Sequence, residues 1–246
     1  MRRASEYIVF PLDVASAREA ETWVRMLSPH VGMFKVGLEL FVESGPEIVR
    51  MIRRAGAARI FLDLKLHDIP VTVCRTMERI ADLGVELTTV HCGESSAMLK
   101  AAVQGGGGRV GVLAVTVLTS VSGSDIRQAG FETAYADNIL ELVVKRAAMA
   151  QTAGCAGVVC SAREVGSIKQ RLGPEFIAVT PGIRPSWQVS ADDQKRLATP
   201  EEAIQNGSDY LVIGRPIRNA EDPVKAAVRI ASEIQDVLPA TGRVQG

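Results

Sequence analysis

The chain has 246 residues, 47% hydrophobic and 23% charged, which lies within the size range of one large α/β domain with a full core. Lysine plus arginine balances aspartate plus glutamate at 28 each, and the basic residues form no runs, so the electrostatic footprint of a nucleic-acid binder is absent. The amino terminus MRRASEYIVF has no apolar stretch of signal-peptide length and no window approaches a membrane span, so a soluble, cytoplasmic protein without a membrane partner is expected.

In chain order, the first strand is expected at Tyr7–Asp13 and the second at Met33–Gly37. The third and fourth follow in AGAARIFLD and LGVELTTVH. The fifth, Arg109–Thr116, comes after GGGG at 105–108, which reads as only a turn. AGCAGVVCS, Phe176–Thr180 and NGSDYLVIG carry the sixth to eighth. Four of these segments repeat one pattern: a helix-like run, a glycine, two residues, then a short apolar strand. Gly56, Gly84, Gly154 and Gly207 suit the left-handed position just past a helix end, where the lack of Cβ is an advantage.

Strands alternating with helices imply parallel pairing, and eight units in one chain suggest a closed (β/α)8 barrel, a TIM barrel, as one domain over residues 1–246. An open doubly wound sheet is the alternative. It would gather polar residues at one crevice, whereas Asp13, Lys35, Asp63, Lys65, His91, Thr116, Ser161, Arg184 and Arg215 mark nearly every strand end. Such a ring fits a barrel mouth, where active sites of this architecture lie. The four cysteines show neither CxxC spacing nor a partnered histidine cluster and read as reduced packing residues.

The stretch FLDLKLHDIPVT, residues 61–72, carries the chemistry. Strand alternation puts Asp63 and Lys65 on one face, looking into the mouth, with Leu62 and Leu64 toward the helices. An inward ion pair costs desolvation and is usually kept for a task. Lys35 ends the neighbouring strand and should stand close to Asp63, so Lys35, Asp63, Lys65 and Asp68 form a series of alternating charges. A lysine between carboxylates is set up as a proton donor rather than an imine-forming amine. Two lysines also stand where a divalent cation would need oxygen ligands, so no metal is expected. Asp68 alone could be a helix cap ahead of Pro70. For His67 and His91 a supporting, hydrogen-bonded role is favoured over direct catalysis.

On the far side of the mouth, VTPGIR and VIGRP place Gly182, Arg184, Gly214 and Arg215 after the seventh and eighth strands, where barrels commonly hold a phosphate on backbone N–H groups. Two long connections, about 117–136 and 183–199, rise at the same end and suit lids. The second contains Gln194, which could reach a phosphate on closure.

The whole chain resembles one family, the orotidine 5′-phosphate decarboxylases of the short bacterial type. The resemblance runs through FPLD at 10–13, FKVGLELF at 34–41, FLDLKLHDIPVTV at 61–73, AVTVLTS at 114–120, GVVCSAREV at 157–165, VTPGIRP at 179–185, DDQKR at 192–196 and VIGRPI at 212–217. It implies a homodimeric, cofactor-independent enzyme that converts orotidine 5′-monophosphate to uridine 5′-monophosphate in pyrimidine biosynthesis. It further implies that Lys65 protonates C6 as carbon dioxide leaves, within a tetrad of Lys35, Asp63, Lys65 and Asp68. Asp68, Ile69 and Thr72 would reach the neighbouring subunit's site. Asp13 and Lys35 would meet ribose hydroxyls, Thr119 the pyrimidine, and Gln194, Gly214 and Arg215 the phosphate, with Arg184 at that end.

Two other readings stay open. Magnesium-dependent sugar-phosphate decarboxylases or aldolases of the same superfamily share the D-x-K-x-x-D spacing but typically carry Glu where Lys35 stands. A phosphate-binding barrel without catalysis is the other.

Overall fold

The computed structural model describes residues 2–93, 95–188 and 197–238. Eight strands close into a barrel in sequence order: β1 (Ile8–Pro11), β2 (Met33–Val36), β3 (Ile60–Leu66), β4 (Leu87–His91), β5 (Gly111–Val115), β6 (Gly157–Val159), β7 (Ile177–Thr180) and β8 (Tyr210–Val212). Every neighbouring pair is parallel, and β8 returns to β1 through Ile8 opposite Leu211 and Val9 opposite Val212. The open sheet is therefore excluded, and the protein is one (β/α)8 barrel. No described helix is long and apolar enough to cross a membrane.

The repeat has its expected physical basis. Gly56, Gly84, Gly154 and Gly207 all hold positive φ, between 73° and 119°, where a Cβ would strain the turn from helix into strand. Alternation along the strands then sorts side chains into two cores. Val9, Met33, Phe61, Leu87, Leu113 and Val179 fill the barrel, while the opposite faces pack on the surrounding helices. Pro11 is tolerated within β1 because pairing of β1 with β8 has ended by Val9, and its ring packs against Gly214 instead. At the barrel's other end Arg2 lies between Tyr7 and Tyr210, its guanidinium carbon 4.0 and 4.1 Å from the ring centroids.

Two expectations need correction. The glycine run at 105–108 is more than a turn: Gly105 and Gly106 are buried in the last turn of the helix Ser96–Gly106, and only Gly107 and Gly108 carry positive φ. A Cβ on Gly105 would lie 2.2 Å from the Cys74 carbonyl oxygen of the neighbouring helix, Pro70–Asp82. The pair is there for close helix packing. The connection near 117–136 is not bare loop either, since it holds short helices at Gly123–Gln128 and Thr133–Asp137.

These contacts predict that Gly105→Ala lowers the thermal midpoint, by a stability loss of about 1–3 kcal/mol from overpacking. Gly108→Ala meets open space and should lose only ~1 kcal/mol from its left-handed φ. Paired thermal melts of the two variants check the order.

Candidate active site

The mouth is built around an irregularity in β3. Leu62 is opposite Thr88 and Leu66 is opposite Val90, so three residues of β3 face the single residue Thr89 of β4. The strand accommodates them by turning at Lys65, whose φ of 51° makes it the one non-glycine residue with positive φ among those described. Plain alternation is therefore broken where it was expected to continue. Asp63 and Lys65 still meet, but through this bulge: Lys65 Nζ donates to Asp63 Oδ2 at 2.8 Å.

Lys35 arrives from β2. Its Nζ is 3.6 Å from Asp63 Oδ2 and 3.3 Å from Asp13 Oδ1, so one chain of charges runs Asp13, Lys35, Asp63, Lys65. Asp63 is buried and also accepts a hydrogen bond from Thr89 Oγ1 at 2.9 Å. Burial alone would raise its carboxyl pKa, yet Lys35, Lys65 and the hydrogen bonds hold it below the ordinary aspartate value. Gly37 completes this corner: a Cβ there would come within 3.4 Å of Lys35 Nζ.

Among the described residues, Asp68 forms no ion pair with these charges. It is exposed, and its Oδ1 accepts a 2.6 Å hydrogen bond from the Ile69 N–H. Nor does it cap the next helix, because Ile69 takes the N-cap position and makes no side-chain cap bond. Ile69 and Thr72 are likewise exposed.

Lys35, Asp63, Lys65 and Thr119 line one cavity of about 190 Å³. Its remaining wall is mainly apolar, with Phe61, Val115, Val117, Leu118, Val159, Val179 and Val212 beside Cys160 and Pro181. A planar ring that carries a charged substituent fits such a division, the ring against valines and the charge toward lysines.

At the opposite rim, Gly214 precedes the short helix Arg215–Arg218 and its carbonyl accepts from the Ile217 and Arg218 N–H groups. Arg215 is exposed there, and Arg218 Nη1 donates to the Asp13 carbonyl at 2.6 Å, tying this helix to the end of β1. Arg184 is buried, with Nη1 donating to the Ile183 carbonyl at 2.9 Å. Gln194 lies outside the described residues.

Some polar strand ends serve the fold instead of the mouth. Thr116 Oγ1 donates to the Val159 carbonyl, and Ser161 with Glu164 forms a capping box on the helix Ala162–Leu172. His67 and His91 stand together, ring centroids 5.7 Å apart. Burial pushes the Cys92 thiol up to about 11 and Cys155 up to about 12, and raises Cys160 well above the ordinary value, in keeping with packing roles. Sequence reasoning missed Thr89, although two adjacent threonines in an otherwise apolar strand, LTTVH, signal buried hydroxyls that need partners.

Fold and site together define a (β/α)8-barrel enzyme with a lysine and aspartate cluster at the carboxyl ends of its strands. Residues 6–230 match the family model described as orotidine 5′-phosphate decarboxylase / HUMPS family. Among curated relatives, orotidine 5′-phosphate decarboxylase of Desulfosudis oleivorans is 55% identical over 239 residues, covering 96% of each chain. That of Pelobacter propionicus is 46% identical, over 94% of this chain and 96% of its own. The crystal structure of orotidine 5′-phosphate decarboxylase from Lactobacillus acidophilus superposes with a TM-score of 0.80 at 36% identity, covering 92% of this chain and 98% of that one. The chain belongs to the orotidine 5′-phosphate decarboxylase family, and is an enzyme of the carboxy-lyase class.

The ion-paired site makes a pH prediction. A carboxyl whose folded pKa is depressed stabilises the fold fully above its unfolded value, near 3.8, and that contribution disappears as pH falls through the lower folded value. Asp63→Asn should therefore be less stable than the native chain near neutral pH, with the gap narrowing below about pH 3.8. Urea unfolding midpoints measured across that range test the sign.

Proposed function

We propose that the protein decarboxylates orotidine 5′-monophosphate to uridine 5′-monophosphate, a step of pyrimidine biosynthesis, without metal or organic cofactor. The observation that carries this reading is Lys65 Nζ held 2.8 Å from Asp63 Oδ2 on the charged wall of a cavity whose other wall is apolar. Relatives at 45–55% identity over nearly the whole chain bear the name of that activity.

In this mechanism the bond from C6 of the pyrimidine to the carboxylate carbon breaks, carbon dioxide leaves, and the electron pair remains on C6. The Lys65 ammonium stabilises that charge and delivers a proton to C6. Asp63 holds the ammonium in place, and Lys35 with Asp13 binds ribose hydroxyls. Thr119 meets the pyrimidine. Gly214 and Arg215 take the phosphate, joined by Arg184 and Gln194, so that binding energy at a remote group orders the reacting end. Lys35 and Lys65 both pair with Asp63, which leaves that carboxylate to ammonium groups rather than a divalent cation. This separates the reading from magnesium-dependent relatives.

The working unit in this reading is a cytoplasmic homodimer in which Asp68, Ile69 and Thr72 enter the partner's site. Support comes from exposed apolar side chains after β2 and β3: Val42 is 80% exposed and Ile69 62%, with Leu38 and Val71 also open. Large apolar groups so placed at one end of a barrel suit a subunit contact.

Purified protein mixed with orotidine 5′-monophosphate and EDTA should deplete the orotate-type ultraviolet absorbance. Lys65→Ala should abolish turnover while still binding uridine 5′-monophosphate. Absence of turnover by the native protein, or turnover only on adding magnesium, contradicts the proposal.

A further inference from the structure

The left-handed backbone at Lys65 has a specific support. A non-glycine residue in this region is sterically strained and persists where its surroundings enforce it. Here the Lys65 N–H, displaced from the ladder by the bulge, donates to Thr89 Oγ1 at 2.9 Å. The same hydroxyl donates its own hydrogen to Asp63 Oδ1, also at 2.9 Å. Thr89 is fully buried, so neither group would find water in its place. Its neighbour Thr88 is equally buried, but its hydroxyl donates to the Leu62 carbonyl at 2.8 Å and touches neither charged residue.

One hydroxyl thus fixes both ends of the pair. It holds the Lys65 main chain in the conformation that returns Nζ toward Asp63, and it holds the Asp63 carboxylate so that Oδ2 faces Nζ while Oδ1 is occupied. A β-branched side chain with restricted χ1 limits where that hydroxyl can sit. We propose that Thr89 is a positioning residue for the catalytic lysine: its hydroxyl sets the backbone turn at Lys65 and the orientation of Asp63, and so the place of the Lys65 ammonium in the cavity. The activity part of this inference rests on the decarboxylase reading; the conformational part does not.

Thr89→Val keeps the shape and removes both hydrogen bonds, Thr89→Ser keeps both, and Thr88→Val removes the neighbouring hydroxyl. With orotidine 5′-monophosphate as substrate, Thr89→Val should lower kcat about 100-fold, the scale for a misplaced catalytic group, with KM nearly unchanged. Thr89→Ser should recover most of the rate, and Thr88→Val should keep it. Full kcat in Thr89→Val, no recovery in Thr89→Ser, or an equal loss in Thr88→Val overturns the proposal. Should Thr89→Val fail to fold, Thr89→Ala takes its place in the same comparison. Crystal structures give the second readout: Lys65 keeps positive φ in Thr89→Ser and loses it, or loses its contact with Asp63, in Thr89→Val. If both persist in the valine variant the proposal fails, whatever the kinetics. Lack of turnover by the native protein would sink the functional reading alone, and the valine structure would still decide the role of Thr89.

Discussion

The site depends on one backbone event, the left-handed turn at Lys65 near the end of β3. Up to Leu62 the strand obeys ordinary parallel pairing with β4, and beyond it two extra residues must be accommodated before Leu66 pairs again. That excess brings Lys65 Nζ onto Asp63 in its own barrel. It also delivers the chain to Asp68, Ile69 and Thr72 facing outward, ahead of a helix that begins at Pro70. A straight strand would carry these groups along a single line. The bulge lets one twelve-residue motif face two directions.

The rest of the mouth gives that lysine its surroundings. Phe61 and the strand-end valines exclude water from one side, which strengthens the interaction between any charge developing on a bound ring and the ammonium opposite. Lys35 shares Asp63 with Lys65 and reaches Asp13, so losing Asp63 would take from Lys65 its carboxylate partner and leave Lys35 with Asp13 alone. Arg218 connects Asp13 to the helix after β8, so the rim proposed for phosphate and the charged corner are mechanically joined.

Much of this was legible in the sequence because it rests on local rules. A glycine past the helix and an apolar strand soon after identify the repeat in four segments, and eight strands alternating with helices point to a barrel. The strand ends could be read as a mouth because charged residues there have no cheaper place. Other features depend on atoms distant in sequence. Alternation places Asp63 and Lys65 together, yet their meeting is achieved by a bulge that alternation does not contain. Gly105 is needed because Cys74 of another helix lies against it, and Asp68 reads as a cap until Ile69 is seen to take that position. Thr116 and Ser161 look like mouth residues and instead complete backbone hydrogen bonds.

The proposed division of FLDLKLHDIPVT between two active sites is tested most directly by mixing two variants expected to be inactive, Lys65→Ala and Asp68→Ala, under conditions that exchange subunits. If Asp68 serves the partner, each mixed dimer contains one site with both native groups, and decarboxylation of orotidine 5′-monophosphate returns on mixing. If Asp68 serves its own barrel, every site lacks one group and the mixture stays as inactive as its components, which would contradict the account.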